Sequence, residues 1–254
     1  LDCRGATLMP GLAEAHTHFS WNDQPSLNAI QRMPTEEHLL WCAHIARRYL
    51  DMGWTSGIGV ATANPRLDVV IRNAIDAGQI AGPRYLAASQ EITVPGGLGD
   101  ETFPHLPFPE FSFGAIVNGP EEMRKQVRMF LKYGVDTIKL NLSGDNLVPG
   151  ADATTNWMSD EEVAIAVREA KVRGKRVSCH ARSTGSIKQA MRHGLDIVYH
   201  ASFADEEALD MLEAAKDRVF VAPGISVQIR LLNEGEVVGI DNAQAKRMGY
   251  EREL

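Results

Sequence analysis

Short apolar runs alternate along the chain with longer stretches whose apolar residues recur every three to four positions. The first pattern suits strands, the second amphipathic helices. The runs are 11–19 (GLAEAHTHF), 54–60 (WTSGIGV), 84–89 (RYLAAS), 135–143 (VDTIKLNLS), 175–181 (KRVSCHA), 195–202 (LDIVYHAS) and 218–225 (RVFVAPGI). Helices are predicted between them. One ends at Gly53 and the next at Gly78. A third has Pro120 near its start and Gly134 after its end. A fourth opens on Ser159 with Glu162 at a capping-box spacing and closes at Gly174. Residues 184–194 and 205–215 follow, and a last helix begins near Asp241 and is still running at Leu254.

Strands alternating with helices imply βα units around a parallel sheet. The predicted fold class is therefore α/β. A TIM-type (β/α)8 barrel takes roughly 250 residues, and here seven strands are visible before the chain stops in the helix ahead of an eighth. On that reading the chain is truncated at both ends. A doubly wound open sheet is the alternative, but its nearest fingerprint, GIGVAT at 57–62, lacks the third glycine.

Composition narrows the class. Of the 254 residues, 44% are hydrophobic and 23% charged, as in a globular chain with a sizeable core. A net charge of −7 argues against nucleic acid or an anionic membrane as partner. No apolar run is long enough to span a bilayer. Cys3, Cys42 and Cys179 show no CxxC spacing, so a reducing, cytoplasmic setting is expected rather than a disulfide framework.

Catalytic groups of a barrel stand at the C-terminal ends of its strands. There the first run carries His16 and His18, the fourth Lys139, the fifth His180 and the sixth His200. Residues i and i+2 of a strand face the same way, roughly 6–7 Å apart, so His16 and His18 can converge on one cation. An isolated pair of this kind is more often two ordinary histidines of a half-buried strand. Lys139 shares a face with Thr137 and Asn141, while Ile138, Leu140 and Leu142 take the other. The outer face of a barrel strand packs on helices, so the apolar face is outward and Lys139 points inward. A buried amine has a lowered pKa and can capture CO2 as a carbamate, an anionic ligand with two oxygens. His180 shares its face with Ser178, with Arg182 just above, and His200 stands between Tyr199 and Ala201. Each alone reads as a core histidine; the ordered set does not. His38, His44, His105 and His193 read as helix surface or loop.

The longest predicted loop, 90–118, carries Phe103, Phe108, Phe111 and Phe113. It reads either as a lid over an apolar part of a substrate or as a surface loop packing on a neighbouring subunit. Loop 143–158 carries Trp157. Arg182 suits a substrate carboxylate or a structural ion pair. Arg182, Tyr199, Trp157 and Phe103 are the candidate substrate contacts.

The stretches LMPGLAEAHTHF (8–19), DTIKLNLSG (136–144) and VSCHARSTGSIKQAMRHGLDIVYHAS (177–202) resemble the amidohydrolase superfamily over essentially the whole chain. The branch is that of imidazolonepropionase-like enzymes, Xaa-Pro dipeptidases and ochratoxin-type amidases, with IKLNLSGD leaning towards phenylurea and molinate hydrolases. The resemblance implies that residues 1–10 end a small N-terminal β-sandwich and that 11–254 form the barrel. It implies that His16 and His18 hold the more buried metal, that carboxylated Lys139 bridges two metals, and that His180 and His200 hold the second. Lys139, His180 and His200 would carry the catalysis, with two zinc ions, or cobalt or manganese in their place. The implied reaction is hydrolysis of a C–N bond of amide, carbamate, urea or dipeptide type in a small-molecule substrate, by a homo-oligomer. The family's general base, an aspartate after strand eight, is not among these residues, and Asp241 at a helix start is not given the role. The chain alone is expected to lack that base. Two other readings stay open. A mononuclear deaminase or cyclic-amide hydrolase of the same fold is disfavoured by Lys139. A non-catalytic barrel relative is disfavoured because all five positions are intact.

Overall fold

All seven apolar runs become strands, and all strand pairs run parallel. The structure is a computed structural model that describes residues 4–24, 27–106, 112–146, 148, 150–238 and 240–248. In chain order its elements are β1 (Leu12–Thr17), α1 (Leu27–Arg32), α2 (Thr35–Asp51), β2 (Trp54–Gly59), α3 (Leu67–Asp76), β3 (Arg84–Leu86) and β4 (Ala88–Thr93). They continue with β5 (Ala115–Ile116), α4 (Pro120–Tyr133), β6 (Thr137–Asn141), α5 (Asp160–Lys171), β7 (Arg176–Ala181) and α6 (Thr184–His193). The last are β8 (Ile197–His200), α7 (Glu206–Ala214), β9 (Phe220–Ala222), α8 (Ile225–Glu234), a 3-10 turn (Gly235–Val238) and α9 (Asn242–Arg247). The strands form one sheet in the order β1-β2-β3 and another in the order β5-β4-β6-β7-β8-β9.

The two sheets are successive parts of one layer. Only Ala87 separates β3 from β4, and its carbonyl accepts from Asp136 N and Thr137 N. Thr62 N, just past β2, donates to the Ser89 carbonyl of β4. The predicted third strand, 84–89, is therefore corrected: it is kinked at Ala87 and runs on to Thr93, so the following loop begins at Val94 and contains β5. At the far side of the layer the Tyr199 hydroxyl of β8 donates to the Ala15 carbonyl of β1 at 3.1 Å. Val60 packs with Ile197 and Tyr199 in the same place. The layer thus curves until β8 approaches β1. This is an α/β fold with parallel sheets.

Local chemistry explains several helix ends. Ser159 Oγ accepts from Glu162 N at 3.3 Å, and Glu162 Oε2 accepts from Ser159 N at 2.9 Å, completing the capping box of α5. Asp205 and Asp241 cap α7 and α9 in the same N-cap role. Gly134 ends α4 in the left-handed conformation. α1 and α8 are unpredicted: α1 has six residues, and α8 has no buried side chain to give it an apolar stripe.

The main core lies between the outer face of the strands and the helices. Ile138, Leu140 and Leu142 are fully buried there with Val177, Cys179, Val163 and Ile187. Burying one such aliphatic side chain contributes about 1.5–3 kcal/mol, which fixes the outward face of β6 and turns Lys139 the other way. A second cluster joins Phe19, Ile45, Ile71 and Tyr85 under α2 and α3. Gly57 and Gly59 lie inside β2, where a Cβ on Gly59 would collide with Asp68 Oδ2 and Tyr85 Oη. The glycines of GIGVAT thus belong to the close-packed end of β2, not to a nucleotide loop.

Candidate functional site

A cavity of about 440 Å³ is lined by His16, His18, Lys139, His180, Arg182 and His200. Four strands deliver these groups. His16 lies within β1, and His18 stands one residue past its end. The His18 carbonyl accepts from Trp21 N and Asn22 N at 2.9 and 3.0 Å, so the chain turns there. Lys139 sits at the centre of β6, only 3% exposed, with its Nζ 5.4 Å from the centre of the Tyr199 ring. His180 comes from β7. His200 ends β8 with a φ of 77°, and Ala201 follows at 52°. Two successive non-glycine residues in the left-handed region are costly, and this turn is what aims His200 at its neighbours.

The rings are close. Centroids are 5.1 Å apart for His16 and His18, 5.3 Å for His16 and His200, and 4.6 Å for His180 and His200. His18 Nδ1 lies 3.0 Å from the Ala61 carbonyl, and His180 Nε2 lies 3.0 Å from the Gly144 carbonyl. A carbonyl can only accept, so these nitrogens carry the protons, and the opposite nitrogen of each ring keeps its lone pair.

Desolvation holds all four imidazoles below the usual histidine range, His18 at about 3, and the nearby Lys139 cation pushes in the same direction. The rings are therefore neutral at neutral pH. Burial also lowers the Lys139 amine, opposed first by the Glu91 carboxylate. Glu91 pairs with Lys139 across the β4–β6 register. Burial raises Glu91 to about 7, against the pull of Lys139 and Asn141.

Among the described residues, no three or more His, Cys, Asp or Glu side chains stand arranged as a ready-made metal site. The donor chemistry nonetheless fits divalent cations: neutral imidazoles, two of them oriented by backbone carbonyls, beside a desolvated amine.

The predicted substrate contacts divide. Arg182 lines the cavity and is 2% exposed, with Nη1 bonded to Ser202 Oγ at 2.9 Å and to the Met248 carbonyl at 3.1 Å. Tyr199 is fully buried beneath the histidines, its ring 4.5 Å from that of His16, and its hydroxyl is engaged by Ala15. Trp157 stands outside the lining, packed on Leu98, Val148 and Ala151. Phe103 is 58% exposed, beside His105 and also outside the lining. Phe113 does line the cavity, whereas Phe108 and Phe111 lie outside the described residues. His38, expected on a helix surface, is fully buried, with Nε2 2.7 Å from the Ser20 carbonyl. It anchors the turn that follows His18.

Sequence reasoning missed several lining residues: Glu14, Trp21, Glu91, Glu101 and Asp145. Trp21 stacks on His18 at 4.0 Å with 2° between the planes and touches Phe113 at 5.5 Å. The i+3 turn after His18 was the available signal for Trp21. For Glu91 it was the β4 strand, hidden because its residues read as loop.

A histidine-lined cavity at the strand ends of a parallel α/β fold is a hydrolase-like arrangement, and comparison with known proteins identifies the lineage. A model described as "Amidohydrolase family" matches residues 7–246, and the chain belongs to that family. It is 28% identical to an ochratoxinase from Aspergillus niger over 252 residues, covering 92% of this chain and 51% of that protein. A solved Xaa-Pro dipeptidase with bound methionine in its active site matches at 25% identity and a TM-score of 0.77, over 94% of this chain and 59% of that one. A putative prolidase from Bifidobacterium longum matches at 28% identity and a TM-score of 0.72, over 95% and 53%. The chain spans about half the length of the curated relative it matches.

Proposed function

We propose that this chain carries the metal-binding site of a hydrolase that cleaves a C–N bond in a small-molecule amide, carbamate, urea or dipeptide. On this reading the curved layer is the larger part of a (β/α)8 barrel, with β3 and β4 counting as one barrel strand and β5 standing outside the count. The observation that carries the proposal is the meeting of His16, His18, Lys139, His180 and His200 in one cavity. His16 and His18 would hold one cation, His180 and His200 another, with Lys139 bridging as a carbamate. Bound divalent cations, zinc first and cobalt or manganese next, supply Lewis-acid polarisation of a carbonyl and acidify water enough for attack near neutral pH.

The chain's own residues do the rest. Ala61 and Gly144 carbonyls hold the His18 and His180 rings so that a lone pair faces away from each bond. Desolvation lowers the Lys139 amine, which favours its neutral, nucleophilic form. Its lone pair bonds the carbon of CO2, its proton leaves to solvent, and a two-oxygen anion results. Trp21, Phe113, Leu98 and Val148 form apolar wall and exclude water from the substrate's apolar part. Arg182 lines the cavity, held by Ser202 and the Met248 carbonyl, and would place positive charge beside a substrate carboxylate there.

The test is metal content of the full-length protein by elemental analysis, beside the Lys139→Ala variant. About two metals per chain, falling in the variant together with amide hydrolysis, is the expected result. A wild type that takes up no metal overturns the proposal. A mononuclear site is the second reading, favoured by Glu91 and Asp145, whose charges both act on Lys139 and would suit an unmodified ammonium. About one metal per chain, unchanged in Lys139→Ala, would select it.

A further inference from the structure

Thr17, between His16 and His18, is fully buried and takes no part in the cavity lining. Its hydroxyl is shared between the Ile58 carbonyl at 3.2 Å and the Tyr85 hydroxyl at 3.4 Å. Tyr85 Oη donates to Asp68 Oδ2 at 2.7 Å, and the same oxygen accepts from Ala88 N at 3.1 Å. Phe19, on the other side of His18, stacks on the Tyr85 ring at 4.4 Å with 19° between the planes. Both chain neighbours of His18 therefore rest on one tyrosine. That tyrosine is fixed by a carboxyl in the first turn of α3, which also holds the first residue of β4. The cluster is closed from behind by Gly59, the β2 residue where no side chain fits.

None of these groups touches the cavity, and all are 4% exposed or less. Burying two hydroxyls and a carboxyl costs free energy unless they are bonded to each other. A wholly apolar filling of the same volume would hold the strands as well. What the polar chain adds is direction: a hydroxyl at Thr17 with fixed partners sets the rotation of β1, and a one-residue slip of a strand turns every side chain to the other face.

We propose that Tyr85 and Asp68 are positioning residues that fix β1 so that His16 and His18 present their rings to the cavity together. This rests on the metal-site reading above. It is tested on the full-length protein through its zinc dissociation constant, measured by competition with a chromogenic chelator well below the melting temperature. Tyr85→Phe removes the hydroxyl and keeps the Phe19 stack; Asp68→Ala removes the anchor. Each is expected to weaken zinc binding about 10- to 100-fold, as loss of groups supporting metal ligands does elsewhere. Asp68→Asn can still present one oxygen to Tyr85 and Ala88 and is expected to retain near wild-type affinity. Val163→Ala, a core truncation in α5, lowers the melting temperature without touching this cluster and should leave zinc affinity unchanged. Unchanged affinity in both Tyr85→Phe and Asp68→Ala, with a wild type that binds zinc, overturns the positioning role alone. Weakening in Val163→Ala equal to theirs overturns it too, by assigning the loss to stability. A wild type that binds no zinc overturns the metal reading first and this inference with it.

Discussion

Lys139 is a charged group in a strand whose alternate residues are fully buried core. The alternation of Ile138, Leu140 and Leu142 gives its direction, because apolar packing on the helices fixes the other face. Its partner Glu91 was not readable, since strand register is set between elements and not along the chain. Trp21 is a second residue whose place depends on such contact. Stacked on His18 and facing the cavity, it is expected to contact the apolar part of a substrate. Trp21→Ala should raise KM for apolar amides several-fold while changing kcat less, since an interaction made equally in ground and transition states acts on KM. Steady-state kinetics over a series of acyl groups checks this. Gly59→Ala forces a Cβ against Asp68 and Tyr85 and should destabilise the fold by about 1–3 kcal/mol, measured by urea denaturation.

Among the elements, α5 was the most legible. Its capping box is a local signal and is present, while the helix ends at Lys171, three residues before the left-handed Gly174. Ser159→Ala is expected to cost about 1 kcal/mol in thermal or urea denaturation. The same helix carries Glu169, 6% exposed at its side chain, which accepts from Arg128 at 2.9 Å and from Arg173 at 2.8 Å. Hydrogen bonds from Arg128 and then Arg173 lower its carboxyl from 4.5 to about 2 despite desolvation. A folded-state value below the unfolded one means the group stabilises the fold above about pH 4.5, and that this is lost as pH falls towards about 2. Arg128 is half exposed, so screening reduces the effect. Glu169→Gln should cost about 1–3 kcal/mol at pH 7 and much less near pH 2, compared by urea denaturation at both pH values. The short elements α1 and β5, and the kink at Ala87, left no periodic trace, because periodicity needs more turns or residues than they have.

At the scale of the molecule, several large apolar side chains of β9 and α8 are exposed. Phe220 of β9 is 64% exposed, and Ile225 and Ile229 of α8 are 58% and 52% exposed. Exposed large apolar side chains of this kind favour association. Residues 1–254 alone are expected to bind an apolar dye and to scatter light increasingly with concentration. Ile229→Glu combined with Val237→Glu should reduce both signals.

The sequence by itself determined the α/β alternation, the faces of the strands, the capped helices and the candidate site groups carried on or just past four of the strands. Each of these is encoded within a few neighbouring positions, where backbone sterics and side-chain period act directly. Only the tertiary structure decided that those groups share one cavity and that Trp21, Phe113 and Glu91 join them. It likewise decided that Trp157 and Phe103 stand aside, and that His38 is an internal anchor. Such outcomes depend on groups far apart in the chain, as Tyr199 and Ala15 are at 184 positions. Their meeting is set by the curvature and register of the assembled layer, which no short window of residues contains.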